Sequence, residues 1–215
     1  MPKQTEMVFF SKGPFIFTFF IMIGWSSSSV AAEAAYYEGG TGAPTARFYG
    51  LDGTRIHNRG NLTYSRFHMP FKQTRTQILS VSLSNQYYDG IKKVASSDYH
   101  TFSYSAFGLG LSYRYRFMLV GADYQFAAAR QSLIGSFSDI KNYSFNMPNF
   151  YTGFLFRLGR MGIGVNYYSK FSTIPKKETG LSKDRYFSES GAVFALSYHW
   201  DGTADSFFDG LFKRQ

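Results

Sequence analysis

Residues 161 to 171 place Met161, Ile163, Val165, Tyr167 and Phe171 on one face, with Gly162, Gly164, Asn166, Tyr168 and Lys170 on the other. This period of two predicts a β-strand. Upstream, Phe150, Thr152, Phe154, Phe156 and Leu158 share a face, and only Gly159 and Arg160 separate them from Met161. A two-residue hairpin keeps its flanking residues on one side, and glycine at its first central position suits a type II′ turn. The same parity runs through Phe107, Leu109, Leu111, Tyr113 and Tyr115, past Arg116 and Phe117, into Met118, Val120, Ala122, Tyr124 and Phe126. Arg-Phe is a poor turn dipeptide, so that boundary is free to move by a residue or two. A last alternation sets Ala192, Phe194, Leu196, Tyr198 and Trp200 against Glu189, Gly191, Ala195, Ser197 and His199.

Eight strands follow from this pattern, at residues 44–51, 60–69, 76–87, 99–115, 117–129, 145–158, 161–172 and 186–200. The connections at 52–59, 88–98, 130–144 and 173–185 are longer than the turns between them. Tight turns on one side and long loops on the other are the mark of an up-and-down transmembrane β-barrel, with both termini on the periplasmic side. The expected fold is therefore all-β, an eight-stranded antiparallel transmembrane barrel. The first two strands are weakest. Leu62 and Tyr64 lie on the opposite parity to Phe67 and Met69, which calls for a bulge or a misplaced strand. Residues 44–51 hardly alternate. An inverted arrangement would begin the ring at Gly60 and close it with residues 207–212, putting the tight turns outside.

The N-terminus changes the domain boundaries. Lys3 and Lys12 precede an apolar run from Pro14 to Trp25, four serines and a small-residue stretch. This resembles a secretory signal peptide cleaved after Ala31 or Ala34; the run is shorter than the roughly 20 residues of a membrane-spanning helix. The expected organisation is a signal peptide over 1–34, a barrel over 35–200 and a periplasmic tail over 201–215.

Composition supports the membrane reading. Aromatic residues make up 20% of the 215, with 24 Phe and 17 Tyr; barrels use such residues on the lipid face and in interfacial girdles. Cysteine is absent, so no disulfide staples the fold. The formal charge of +9 would suit nucleic acid, but export argues against that partner. Lys92, Lys93, Lys176, Lys177, Lys183 and Arg185 fall in the predicted outer loops, where lipopolysaccharide phosphate or another anionic surface is the expected partner. An eight-stranded barrel has room only for its own side chains or one small ligand. Its predicted inner face carries several glycines together with Arg114, Asp123, Arg157, Lys170 and Glu189. A lone charge there is costly, so these groups are expected to pair.

Taken together, these features resemble the small eight-stranded outer-membrane barrels of Gram-negative bacteria, the group that includes the OmpA transmembrane domain and the OmpX-like and OmpW-like proteins. The resemblance is architectural and covers residues 44–200. Its most specific element is the last strand, where Glu189, Gly191, Phe194 and Leu196 match the order that the family's assembly machinery recognises, extended by Tyr198 and Trp200. Residues 201–215 depart from it, because family members commonly stop on an aromatic residue. The resemblance implies outer-membrane lipid, lipopolysaccharide and the assembly machinery as partners, with a host or cell-surface ligand as a further one.

Some barrels of this size modify lipid A, which requires a nucleophile beside a base and an orienting group. The deacylase motif Phe-x-His-x-Ser does not occur. Ser197 and His199 share the inner face with Glu189, but two residues along a strand is expected to be too far for a direct hydrogen bond. The four histidines, His57, His68, His100 and His199, are scattered without a carboxylate cluster, so neither a metal nor another cofactor is expected. The expectation is a non-enzymatic surface protein. The alternatives are a narrow conduit for small solutes or apolar ligands, and a lipid A-modifying enzyme.

Overall fold

A computed structural model describes residues 33–51, 53–93, 99–134, 139–179 and 183–202. The strands are β1 Glu33–Gly42, β2 Thr45–Tyr49, β3 Arg55–Arg59, β4 Asn61–Gln73, β5 Gln77–Lys93, β6 Tyr99–Tyr115, β7 Met118–Ile134, β8 Asp139–Leu158, β9 Met161–Ile174 and β10 Arg185–Asp201. One helical turn, α1 Lys176–Thr179, precedes β10. Strands β1 and β4 to β10 pair antiparallel in an eight-membered ring that closes where β1 meets β10. The architecture is an eight-stranded transmembrane β-barrel.

The alternation of side chains decides which face is which. Phe107, Leu109 and Leu111 are 51%, 50% and 55% exposed, and apolar residues repeat at this level on the other long strands. An apolar band of this extent belongs against hydrocarbon. The turns fall where the parity requires. Gly159 has φ +66° and Arg116 φ +54°, the left-handed backbone that the first position of a II′ hairpin demands. Strands β5, β6 and β7 each have 17 residues, whereas a crossing takes roughly 9–11. Their upper ends therefore stand clear of the membrane, and the connections they join are shorter than the loops expected from the sequence.

The first strand is corrected by the structure. The ring begins with Glu33–Gly42, and residues 44–51 lie above it. Pairs Thr41↔Phe194 and Gly42↔Val193 continue as Thr45↔Ser190 and Arg47↔Ser188 along β10, so β1 and β2 are one strand interrupted at Ala43 and Pro44. On the return, β3 and β4 are interrupted at Gly60, whose N–H donates to the Pro44 carbonyl at 3.1 Å. Together the two breaks let the top of this hairpin lean over the mouth. The ring's closure through β1 excludes the inverted arrangement.

No bulge separates Tyr64 from Phe67. In β4 the residues Leu62, Tyr64, Arg66 and His68 face inward without interruption. The two apolar groups belong to different faces, because the upper lumen is lined with apolar side chains. The bulge of this strand lies between Pro70 and Lys72. The signal-peptide segment through residue 32 and the tail from residue 203 lie outside the described residues.

Candidate functional site

The lumen is filled in layers, and the lowest centres on Glu33. Its carboxylate takes hydrogen bonds from Arg114 and binds His199 Nδ1. His199 Nε2 in turn bonds the Ser197 hydroxyl at 2.8 Å. The expectation that Ser197 and His199 are too far apart is thus overturned. Gly162, on the neighbouring strand, is the reason: a Cβ there would lie 3.1 Å from His199 Nε2, so its absence leaves the ring free to lean along the strand. The order Ser–His–Glu is that of a hydrolytic triad. All three side chains are sealed, however, with Ser197 2% and His199 0% exposed. Arg157, expected in the interior, lies at the lower end of the lumen, 4.0 Å from Glu33, and is also bound to Asp201 and to the Gly159 carbonyl.

The middle layer joins six strands. Arg66 donates to Glu38 at 2.6 Å and to Asp123 at 3.0 Å, and its guanidinium lies 3.6 Å from the centre of the Tyr151 ring. Asp123 also accepts from Ser82 at 3.1 Å and Asn149 at 3.2 Å. His68 stacks on Tyr36 at 4.0 Å and bonds Ser112 at 2.8 Å. One layer up, Lys170 donates to Glu189 at 2.9 Å and to the Tyr104 hydroxyl at 2.6 Å, while Tyr104 and Tyr168 donate to Glu189. Four of the five interior residues expected from the sequence, Arg114, Asp123, Lys170 and Glu189, are therefore paired and buried. Their partners Glu33, Glu38 and Arg66 were not legible. The first two precede the expected first strand, and Arg66 lies where the parity looked broken.

Above the charges the filling becomes aromatic. Tyr88 stacks on Tyr104 at 5.5 Å, and Phe102 meets Phe187 at 5.6 Å. The hairpin β2–β3 closes this layer from above: Phe48 stacks on Phe102 at 4.5 Å, and Gln131 of β7 donates to the Tyr49 carbonyl at 2.7 Å. Gly191 accommodates the hairpin's base, since a Cβ there would stand 2.7 Å from Pro44 Cα. A void lined by Tyr64, Arg66, Gln86 and Asn166 measures about 10 Å³, no more than one water molecule needs.

The predicted rim cations all lie at the long-loop end, but they do not form one cluster. Lys92 and Lys93 end β5, whereas Lys176, Lys177 and Lys183 join β9 to β10, across the ring from β5. Arg185 is less available than expected, with its guanidinium 4.7 Å from the centre of the Tyr49 ring. Sequence reading missed a third group. The hairpin turns Ala46, Phe48 and Ile56 inward and leaves Arg47, Arg55, His57 and Arg59 exposed, with Arg47 directly opposite His57. Period-two basic residues within 47–59 were the available signal, obscured because this stretch was read as a ring strand and a loop.

Among the described residues, no three His, Cys, Asp or Glu side chains come together as a metal-binding group. Of the last strand's recognition residues, Phe194 and Leu196 are 71% and 62% exposed on the lipid face. Tyr198 and Trp200 follow on the same face and pack edge to face at 4.9 Å.

Comparison with protein families finds no match, and neither does comparison with curated proteins. Solved structures do match. The attachment invasion locus protein Ail of Yersinia pestis superposes with a TM-score of 0.53 at 10% identity, covering 79% of this chain and 99% of that one. Neisserial surface protein A gives 0.49 at 9% identity over 78% and 97% of the two chains. The outer-membrane protease OmpT of Escherichia coli gives 0.42 at 8% identity over 77% and 96%. The fold is that of the outer-membrane β-barrel proteins, with no narrower subfamily indicated.

Proposed function

We propose that this protein is a non-enzymatic outer-membrane barrel whose outer rim binds anionic saccharide, and that residues through Ala31 are its cleaved signal peptide. The observation that carries the reading is the hairpin β2–β3. Its inner face plugs the barrel while its outer face presents Arg47, Arg55, His57 and Arg59 to solvent. Arg55 and Arg59 flank His57 on one strand and Arg47 stands opposite it on the other, so the hairpin concentrates positive charge that suits an anionic partner. Lys92 and Lys93 on one side of the mouth and Lys176, Lys177 and Lys183 on the other extend the positive field; Asp139, Glu178 and Asp184 oppose it. Phosphorylated lipopolysaccharide sugars and sulfated glycans share the chemistry that this field recognises. The similarity in fold to Ail, an attachment invasion protein by its name, agrees with a surface role.

The test is binding of the folded protein to immobilised lipopolysaccharide and, separately, to heparin. Replacing Arg47, Arg55 and Arg59 together by Ser is expected to weaken binding at least about tenfold at low salt. Binding of the unaltered protein should fall steeply as ionic strength shortens the screening length. Unchanged affinity in the triple variant would refute the reading, and preference for one ligand over the other identifies the surface it meets.

A hydrolase reading would rest on Ser197, His199 and Glu33. Against it stand the sealed hydroxyl and the engagement of Glu33 by Arg114. A nucleophile must reach its substrate's carbonyl, and this one faces the interior.

A further inference from the structure

The barrel wall is not continuous to its rim. Strands β8 and β9 pair from Leu158↔Met161 up to Asn149↔Lys170 and no further. Above that level β8 continues with β7 as far as Asp139↔Leu133, and β9 continues with β10 as far as Ile174↔Arg185. Pro148, which can donate no ladder hydrogen bond, stands at the point of separation. The two sheet edges are bridged by the Ser172 hydroxyl, which donates to the Asn146 carbonyl at 2.5 Å.

Between the edges lies a cleft of about 620 Å³ on the outer wall, within the size range of small-molecule sites. Its position fixes its surroundings. Tyr124 and Phe171 line it and belong to the top of the lipid-facing band; Phe171 stacks on Phe150 at 6.0 Å and Tyr124 packs against Phe126 at 5.5 Å. Higher up, the lining becomes polar through Asn146, Thr173 and Lys177. The Lys177 side chain is 78% exposed and 3.9 Å from Glu178, a separation at which a surface ion pair contributes little. The cleft is therefore apolar where it meets hydrocarbon and polar where it meets the headgroup layer, with Lys177 and Glu178 both in its lining.

Hydrocarbon cannot satisfy the backbone groups of two separated strand edges. A lipid headgroup can, because its hydroxyl and phosphate oxygens bond N–H groups and accept a lysine. We propose that the β8–β9 cleft binds one phosphorylated outer-leaflet lipid, with an acyl chain along Tyr124, Pro148 and Phe171 and its phosphate at Lys177. This rests on the membrane placement of the barrel and not on saccharide binding by the rim.

The experiment is native mass spectrometry of the purified mature protein in detergent, titrated with diphosphoryl lipid A. The expected result is one retained lipid per chain. Thr173→Trp, which fills the cleft without changing charge, and Lys177→Glu should each reduce retention about tenfold. Arg75→Glu, in the β4–β5 turn at the opposite end of the barrel, should leave it unchanged. Heat-modifiable gel migration verifies the barrel in each variant, and Ser144→Trp fills the same cleft from β8 if Thr173→Trp does not fold. The proposal is overturned if the protein retains no lipid, if neither filling variant weakens retention, or if Arg75→Glu weakens it as much as Lys177→Glu. Displacement of the lipid by millimolar inorganic phosphate also overturns it, since the site would then hold an anion and not a lipid. Loss of saccharide binding in the triple arginine variant with lipid retention intact would separate the two sites.

Discussion

Single residues in this lumen matter through the partner they leave behind. Lys170 and Glu189 are both 1% exposed and 2.9 Å apart. Lys170→Met removes one charge and strands the other, which should cost about 3–5 kcal/mol. Adding Glu189→Gln removes the stranded charge and is expected to restore most of that loss; urea titration of the barrel in detergent micelles measures both. Ser197 gives a different kind of check. Its hydroxyl bonds His199 as a nucleophile would, yet it is sealed, so a fluorophosphonate probe should leave the folded protein unlabelled. Labelling that disappears in Ser197→Ala would establish an accessible hydrolytic site. Glu33 makes a third check. It is 1% exposed and bound to both Arg114 and His199, so processing after Ala34 would remove the centre of the lower layer. The intact mass of protein extracted from outer membranes should correspond to a chain starting at Ala32.

At the scale of elements, the β2–β3 hairpin is one piece with two faces. The interruptions at Pro44 and Gly60 turn the top of an ordinary ring hairpin into a plug, held by Phe48 on Phe102 and by Gln131 on the Tyr49 carbonyl. Replacing residues 45–59 with a short Gly-Ser link should leave the ring's pairing intact, because β1 meets β4 and β10 entirely below the break. The shortened protein should keep its heat-modifiable migration while losing saccharide binding. The split wall begins at the top of the lipid-facing band. Below that level, lipid penalises an unpaired edge; above it, water, a bound headgroup or an inserted hairpin can take over the bonding.

For the molecule as a whole, three charged layers and an aromatic layer occupy the space that an eight-stranded ring encloses. Planar-bilayer recordings of the unaltered protein should therefore show no steady conductance. Removal of the hairpin should not create any, because the ion-paired layers lie beneath it. Regular single-channel steps from the unaltered protein would instead support the conduit reading.

How much of this could be read from the chain depends on the range of the forces involved. Lipid on one side and lumen on the other impose a period of two residue by residue, so the faces of β6 to β10, the two-residue turns and the long-loop end are written locally in the sequence. Arg114, Asp123, Arg157, Lys170 and Glu189 all take their positions from the same parity. The first ring strand did not, because Glu33–Gly42 carries its informative residues, Tyr36 and Glu38, on the inner face and only Tyr37 as a large apolar group outside. The apolar Leu62 and Tyr64 misled for the same reason, since the upper lumen is itself apolar. Pairing across the lumen joins residues such as Glu33 and Arg114, 81 positions apart. It exists only once the ring closes, as do the inward lean of the hairpin and the gap between β8 and β9. Which side chains face lipid is a local choice between two solvents, and it is legible along each strand. Which of the others meet depends on register accumulated around the whole barrel, and so emerges only from the closed ring.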